Sequence, residues 1–178
     1  PGVQKTLKRE DFTGKRDQQV ELVTNGALKP ARVILVGLGS GEITEAHVRT
    51  MAARGARLAQ STRAQSLVIE LPFGVAGAER AAAEGVVLGA YRFTKYLTGD
   101  RLPKSGLERV TLATTAKVTR ETRDAAETGR AVGEAICIAR DLINEPPNEL
   151  YPAAFADYCA KMCEERGLPC LVLGKEAL

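Results

Sequence analysis

The run Val33-Ile34-Leu35-Val36, closed by Gly37-Leu38-Gly39-Ser40-Gly41, constrains this chain more than any other stretch. Four consecutive branched apolar residues leave no polar face, so the run reads as a strand buried on both sides of a sheet. A helical pattern follows from about Thr44 to Ala59, and the motif repeats: Ser66 to Leu71 is a short strand stopped by Pro72, Ala76 to Leu97 an alanine-rich helix, and Arg109 to Ala113 another strand. Before them, Gln18 to Val23 is the one candidate strand in an otherwise polar first 30 residues. Strand and helix in alternation predict an α/β fold: a mixed sheet flanked by helices on both faces, with parallel strands joined by crossovers.

A long helix should come next. Thr119 suits its cap, Glu121 and Asp124 place negative charge in its first turn, and Ala125, Val132, Ile136, Ala139 and Ile143 recur at three to four residues. That apolar stripe is expected to bury, with Gly129 and Gly133 allowing close approach on a neighbouring face. Asn144-Glu145-Pro146-Pro147-Asn148 ends the helix, since two prolines remove two donors and fix two φ angles. A further helix starts at Pro152, with Phe155, Cys159 and Met162 on its buried face and Gly167 at its end; Cys170 to Leu173 reads as a strand. These signals divide the chain into an α/β domain over 1–119, an interdomain helix over 120–145 and the first elements of a second α/β domain over 146–178.

Composition narrows the class. Of 178 residues, 44% are hydrophobic and 26% charged, as in an ordinary globular chain. No apolar run approaches the roughly 20 residues of a membrane helix, and the charged start, Lys5 to Asp11, lacks a signal-peptide core. A net charge of +3 is small but uneven, with eight basic and three acidic residues from Arg92 to Arg123. No aromatics interleave there as a nucleic-acid stacking surface needs, so the stretch reads as a solvated face and nucleic acid is not expected as a partner. Cys137, Cys159, Cys163 and Cys170 crowd the last quarter on stretches read as helix or buried strand, which suggests reduced thiols of a cytoplasmic protein used as small hydrophobes.

No complete catalytic, cofactor-binding or metal-ligating constellation can be assembled from these residues. Gly37 and Gly39 match half of a dinucleotide fingerprint, but the last glycine position holds Glu42, and the acidic Glu70 lies too far along the chain. The turn is expected to be structural, with Gly37 or Gly39 at positive φ. His47, the one histidine, falls in the first turns of a charged helix and is expected to face solvent. Cys159 and Cys163 share a helix face, but two soft ligands do not make a zinc site. Asp141 and Glu145, and the adjacent Glu164 and Glu165, read as solvated charges at helix ends.

The segment Ile138-Ala139-Arg140-Asp141-Leu142-Ile143-Asn144-Glu145-Pro146-Pro147-Asn148, followed by Pro152, Phe155 and Ala156, resembles the domain junction of the M17 leucyl aminopeptidases. Upstream, Asp11-Phe12-Thr13-Gly14-Lys15 and Arg32 to Gly39 resemble that family in the same order, so the likeness covers essentially the whole chain. Tyr151 departs from it, standing where the family often has a helix-capping Thr. The resemblance implies a macro-domain-like N-terminal domain in a cytoplasmic, hexameric exopeptidase. That enzyme would use two divalent ions, manganese or zinc, to remove N-terminal residues such as Leu from peptides. Its metal ligands, a Lys, three Asp and a Glu, and its catalytic Lys and Arg belong to a C-terminal domain whose Asn-Thr-Asp-Ala-Glu-Gly-Arg signature does not occur here. The resemblance therefore implies no catalytic, metal or cofactor residue in this chain, and an opening strand and helix before Gly2. Beside this reading stand a macro-like module that binds ADP-ribose or another nucleotide through Gly37 to Gly41, and a regulatory fragment that contacts nucleic acid through the stretch after Arg92.

Overall fold

The computed structural model describes residues 2–103 and 106–177, so Lys104 of the basic stretch lies outside it. The elements are α1 (Gly2–Arg9), β1 (Gln19–Val23), β2 (Arg32–Val36), α2 (Glu45–Ser61), β3 (Ser66–Glu70), α3 (Ala78–Ala90), β4 (Arg109–Ala113), α4 (Arg120–Asn144) and α5 (Pro152–Glu165). The α/β class holds, and strand directions are mixed. The strands β1 and β2 form an antiparallel hairpin with Val20 opposite Leu35, whereas β3 and β4 pair in parallel with Ile69 opposite Leu112. Among the described residues these are two separate two-stranded ladders. The chain divides between Cys137 and Ile138 into two compact units.

In the first unit, α2 and α3 cover one face of the β3–β4 pair. Ile69 and Leu71 meet Val48 and Ala52 of α2 and Ala78, Ala81 and Ala82 of α3, with Leu67, Val110 and Leu112 packed at the margin. The other face carries Ser66, Val68, Glu70, Arg109 and Thr111, all exposed. Alanines dominate the core because the two helices touch almost through their backbones. A Cβ on Gly85 would overlap the Arg49 carbonyl oxygen, and one on Gly89 the Ala53 carbonyl oxygen. Both contacts pair ascending residue numbers, so the helices run side by side in one direction.

The helix α3 stops at Ala90, seven residues before the alanine-rich pattern ends. There the Gln60 side-chain amide donates to the Ala90 carbonyl at 2.8 Å, and Tyr91 turns extended at ψ 133°. A residue of α2 thus satisfies the helix end that the local pattern does not mark. The helix α1 escapes the sequence pattern for a related reason. Its end is a Schellman turn with Phe12 N–H donating to the Leu7 carbonyl at 2.9 Å, and the left-handed residue is Asp11 (φ 48°) where glycine is usual.

The helix α4 is continuous, and Thr119 caps it by accepting the Thr122 N–H at 3.4 Å. Its burial corrects the expectation. Gly129 and Gly133 are the residues that bury, Gly129 against the Arg80 carbonyl and Gly133 with its would-be Cβ 2.8 Å from Val87 Cβ, while Val132 is exposed and Ile136 half-buried. Close backbone approach to α3 outweighs the stripe because a glycine seam brings two helices nearer than branched side chains allow.

The second unit holds the end of α4, the proline turn and α5. Pro152 opens α5 behind Tyr151, which offers no side-chain cap. Phe155 is exposed, not buried as expected, and Cys159 and Met162 are half-buried. Residues 170–173 form no strand among the described residues: they have no ladder partner, and Cys170, Leu171, Val172 and Leu173 are exposed.

Candidate functional site

The glycine-rich turn after β2 is where the sequence places its strongest hint of binding, and its geometry is set by the loop before β1. Gln18 organises that loop. Its amide donates to the Asp11 carbonyl at 2.8 Å, and its side-chain oxygen accepts from Thr13 N–H at 2.8 Å and Lys15 N–H at 3.1 Å. Held this way, Gly14 and Lys15 lie directly on the glycine turn. Gly37 is buried, and a Cβ there would overlap the Lys15 carbonyl oxygen. Gly39 takes φ +80°, as the turn was expected to require, and a Cβ on it would sit 2.9 Å from Arg16 Cγ.

Phosphate recognition by such a turn needs free backbone N–H groups at a helix start. Here Gly37 N–H donates to the Gln18 carbonyl and Gly39 N–H to the Gly14 carbonyl, both at 2.9 Å. The following helix opens only at Glu45, beyond the exposed Glu42. The turn is a backbone clasp between two loops.

Beside it is an open cavity of about 240 Å³ between the turn and α2, bordered by Arg16, Asp17, His47, Thr50 and Arg54. Four of its polar groups, Asp17, Arg54, Thr50 and His47, are engaged within the protein. Arg54 is paired with Asp17, and the Thr50 hydroxyl donates to the Ala46 carbonyl at 2.8 Å. His47 is half-buried rather than solvent-facing, because its Nδ1 accepts the Thr44 N–H at 3.0 Å at the start of α2. No nucleophile and base come together in this group. Gln18, which organises the clasp, is read from sequence only as the start of a strand. An isolated glutamine carries no pattern, and its importance appears only once Asp11, Thr13 and Lys15 fold around it.

Two-metal peptide hydrolysis needs several carboxylates converging on a pair of ions. Among the described residues no group of three or more His, Cys, Asp or Glu side chains is arranged to hold an ion. Asp141 and Glu145 lie at the end of α4, and Glu164 and Glu165 are exposed at the end of α5. The described residues do not fit a two-ion centre.

With the clasp, the stacked helices and the proline turn in place, comparison with known proteins decides the kinship. Residues 2–100 match the model of the cytosol aminopeptidase family, N-terminal domain. The chain belongs to the cytosol aminopeptidase family. It is 39% identical to a probable cytosol aminopeptidase of Mycobacterium marinum (strain ATCC BAA-535 / M), with 97% of this chain and 33% of that protein aligned. It is 33% identical to one of Rhodococcus opacus (strain B4), over 99% of this chain and 35% of that protein. Among solved structures, the bottromycin maturation enzyme BotP superposes with a TM-score of 0.77 at 36% identity, over 93% of this chain and 35% of that one. A tomato leucine aminopeptidase mutant superposes with a TM-score of 0.80 at 25% identity, over 93% and 33%. BotP has also been solved in complex with Mn.

This cytosol aminopeptidase chain therefore spans about a third of the length of the relatives it matches, and it matches them through their N-terminal domain. The family is one of peptidases, as the relatives' names state. The nucleotide-module reading gains nothing from the comparisons or from the clasp. Among the described residues no helix is long and apolar enough to cross a membrane.

Proposed function

We propose that this chain is the N-terminal part of a metal-dependent leucyl aminopeptidase that removes N-terminal residues from peptides, and that its own role is assembly and access to a site carried elsewhere in the protein. The family-model match over residues 2–100, beside relatives three times as long, carries this reading. In it, residues 1–119 are the N-terminal domain, 120–145 the interdomain helix and 146–178 the opening of the peptidase domain. The whole protein works in the cytoplasm as a hexamer on peptide substrates, with two manganese or zinc ions held by its C-terminal domain. Nucleic acid is not a partner, and residues 1–178 alone are inactive. The Mn complex of BotP supports the metal requirement. The absence of a converging acidic group among the described residues supports assigning the ions to another domain.

The experiment is hydrolysis of a leucine anilide with added Mn²⁺ or Zn²⁺ by the 178-residue chain and by the longer protein encoded at its gene. Metal-dependent turnover by the longer protein with none by the chain is expected. Turnover by the chain alone would reveal a site within it, and an inactive longer protein would overturn the peptidase reading.

A further inference from the structure

The chain has three asparagines, Asn25, Asn144 and Asn148, and the peptide nitrogen that follows each is differently engaged. Asn25 precedes Gly26 in the connection between β1 and β2. Both residues are left-handed, at φ 48° and +79°, and Ala27 N–H donates to the Thr24 carbonyl at 2.9 Å, so the pair forms the centre of a type I′ turn. Both are exposed, and a Cβ added at Gly26 would meet nothing within 4 Å. Among the described residues the Asn25 carboxamide has no hydrogen-bond partner and the Gly26 N–H has no acceptor. The other two asparagines are each followed by a glutamate whose N–H is occupied. Glu145 N–H donates to the Leu142 carbonyl at 3.3 Å, and Glu149 N–H donates to the Pro146 carbonyl at 2.9 Å.

We infer that Asn25 is a modification site, converting to isoaspartate and aspartate through a succinimide closed onto the Gly26 nitrogen. Asparagine is a chemically labile residue, and a following glycine leaves the attacking nitrogen unshielded. The Gly26 nitrogen bonds to Asn25 Cγ, the Cγ–Nδ2 bond breaks, and the Gly26 proton leaves with Nδ2 as ammonia. Water then opens the ring. Attack at the main-chain carbonyl carbon breaks its bond to the Gly26 nitrogen and gives isoaspartate; attack at Cγ gives aspartate. The sum is one water taken up and one ammonia released, with nothing oxidised or reduced. Isoaspartate carries the chain through Cγ, one atom longer than before, so the two-residue turn cannot keep its bond from Ala27 to Thr24. Below the tip, Thr24 N–H donates to the Ala31 carbonyl at 3.0 Å and the Thr24 hydroxyl to the Pro30 carbonyl at 2.7 Å. These bonds confine the change to the tip, where a carboxylate now stands near Lys29 and Arg32 in the sequence.

Trypsin separates the sites, because it cuts after Arg16 and Arg32 but not between Lys29 and Pro30, and elsewhere after Arg140 and Lys161. Asn25 therefore falls in the peptide 17–32, and Asn144 and Asn148 fall together in 141–161. The folded 178-residue chain is kept for weeks in mildly alkaline buffer beside a urea-unfolded sample, digested, and read by fragmentation mass spectrometry. In the folded chain peptide 17–32 is expected to gain about 1 Da at Asn25, the exchange of an amide for an acid, while 141–161 stays unchanged. Isoaspartate should exceed aspartate and accept a methyl group from an isoaspartyl methyltransferase. The variant Asn25→Gln, whose longer side chain does not close the five-membered ring, should lose the methylation. Conversion of Asn25 in urea but not in the folded chain would show that the turn protects it and would overturn the proposal. So would earlier conversion of Asn144 or Asn148, aspartate without isoaspartate, or no change at Asn25 in either sample.

Discussion

Arg49 Nε lies 2.8 Å from the Glu84 carboxylate, and this ion pair joins α2 to α3 from within their interface. The N–H does not point squarely at the oxygen, leaving Nε without a geometric hydrogen bond, so the attraction is mainly one of charge. Four residues earlier on each helix, Arg80 and Glu45 pair at 2.6 Å with the signs exchanged. Two rungs of opposite polarity fix the register in which Gly85 and Gly89 meet the α2 backbone.

Removing Glu84 strands a guanidinium in a mostly apolar seam. Glu84→Ala should cost about 2–3 kcal/mol, at or below the low end for a broken buried pair because the Arg49 side chain is still one-third exposed. The double change Arg49→Met with Glu84→Met should recover most of that loss, since an apolar pair removes both desolvation penalties. Urea denaturation of the three variants checks this; equal losses in single and double variants would contradict it.

The glycine contacts should resist even alanine. In an exposed helix Gly→Ala gains up to about 1 kcal/mol. At Gly89 the added methyl meets the Ala53 backbone, and overpacking of that kind costs about 1–3 kcal/mol. A lowered melting temperature is therefore expected for Gly89→Ala, whereas Gly106→Ala, where a Cβ meets nothing within 4 Å, should leave it nearly unchanged.

The clasp predicts an absence of binding. Calorimetric titration with ADP-ribose or NAD at millimolar concentration should give no heat beyond dilution, because the Gly37 and Gly39 amides are already engaged. Gly39→Val should lower stability through its φ of +80°. A micromolar dissociation constant that this variant abolishes would restore the nucleotide-module reading.

Acid should loosen α4 from its surface inward. A hydrogen bond from Thr119 holds the Glu121 carboxyl below its usual range, and one from Arg130 does the same for Glu127. A depressed folded-state pKa means that stability is fully present above the unfolded value of about 4.3 and is lost as pH falls through the folded value. Melting temperatures of the parent and of the double variant Glu121→Gln with Glu127→Gln should therefore differ at pH 7 and converge as the pH drops below about 4. A difference that grows on acidification would contradict the sign.

Much of the fold was legible because it depends on local pattern. The β4 bounds, Arg109 to Ala113, and the helix starts at Arg120 and Pro152 follow from apolar alternation, a threonine cap and proline placement. What was not legible depends on partners distant in sequence. Ala90 ends a helix because Gln60 reaches it, and Asp11 ends another in a left-handed conformation that glycine usually signals. At the glycine turn the positive φ of Gly39 could be anticipated, yet Lys15 as the residue that excludes a side chain from Gly37 could not. The second unit was least legible: Phe155 and Leu171 carry apolar signals that their surroundings leave exposed.

The seams through Gly85 and Gly89, and through Gly129 and Gly133, also set how this domain can drift over generations. A helix pair held by interlocking side chains can trade one large residue for another and stay closed. Where backbone lies on backbone there is nothing to trade, since any side chain at Gly85, Gly89 or Gly129 must push the partner helix away. The outward positions beside them, such as Arg130 with its Glu127 and Glu134 partners, meet no such limit. In a library selected only for folding, tolerance should alternate sharply along α4, where Gly129 and Gly133 are fixed one helical turn apart and the exposed positions between them, 130 to 132, accept many residues, while along α3 the buried alanines and Glu84 narrow the choice as well.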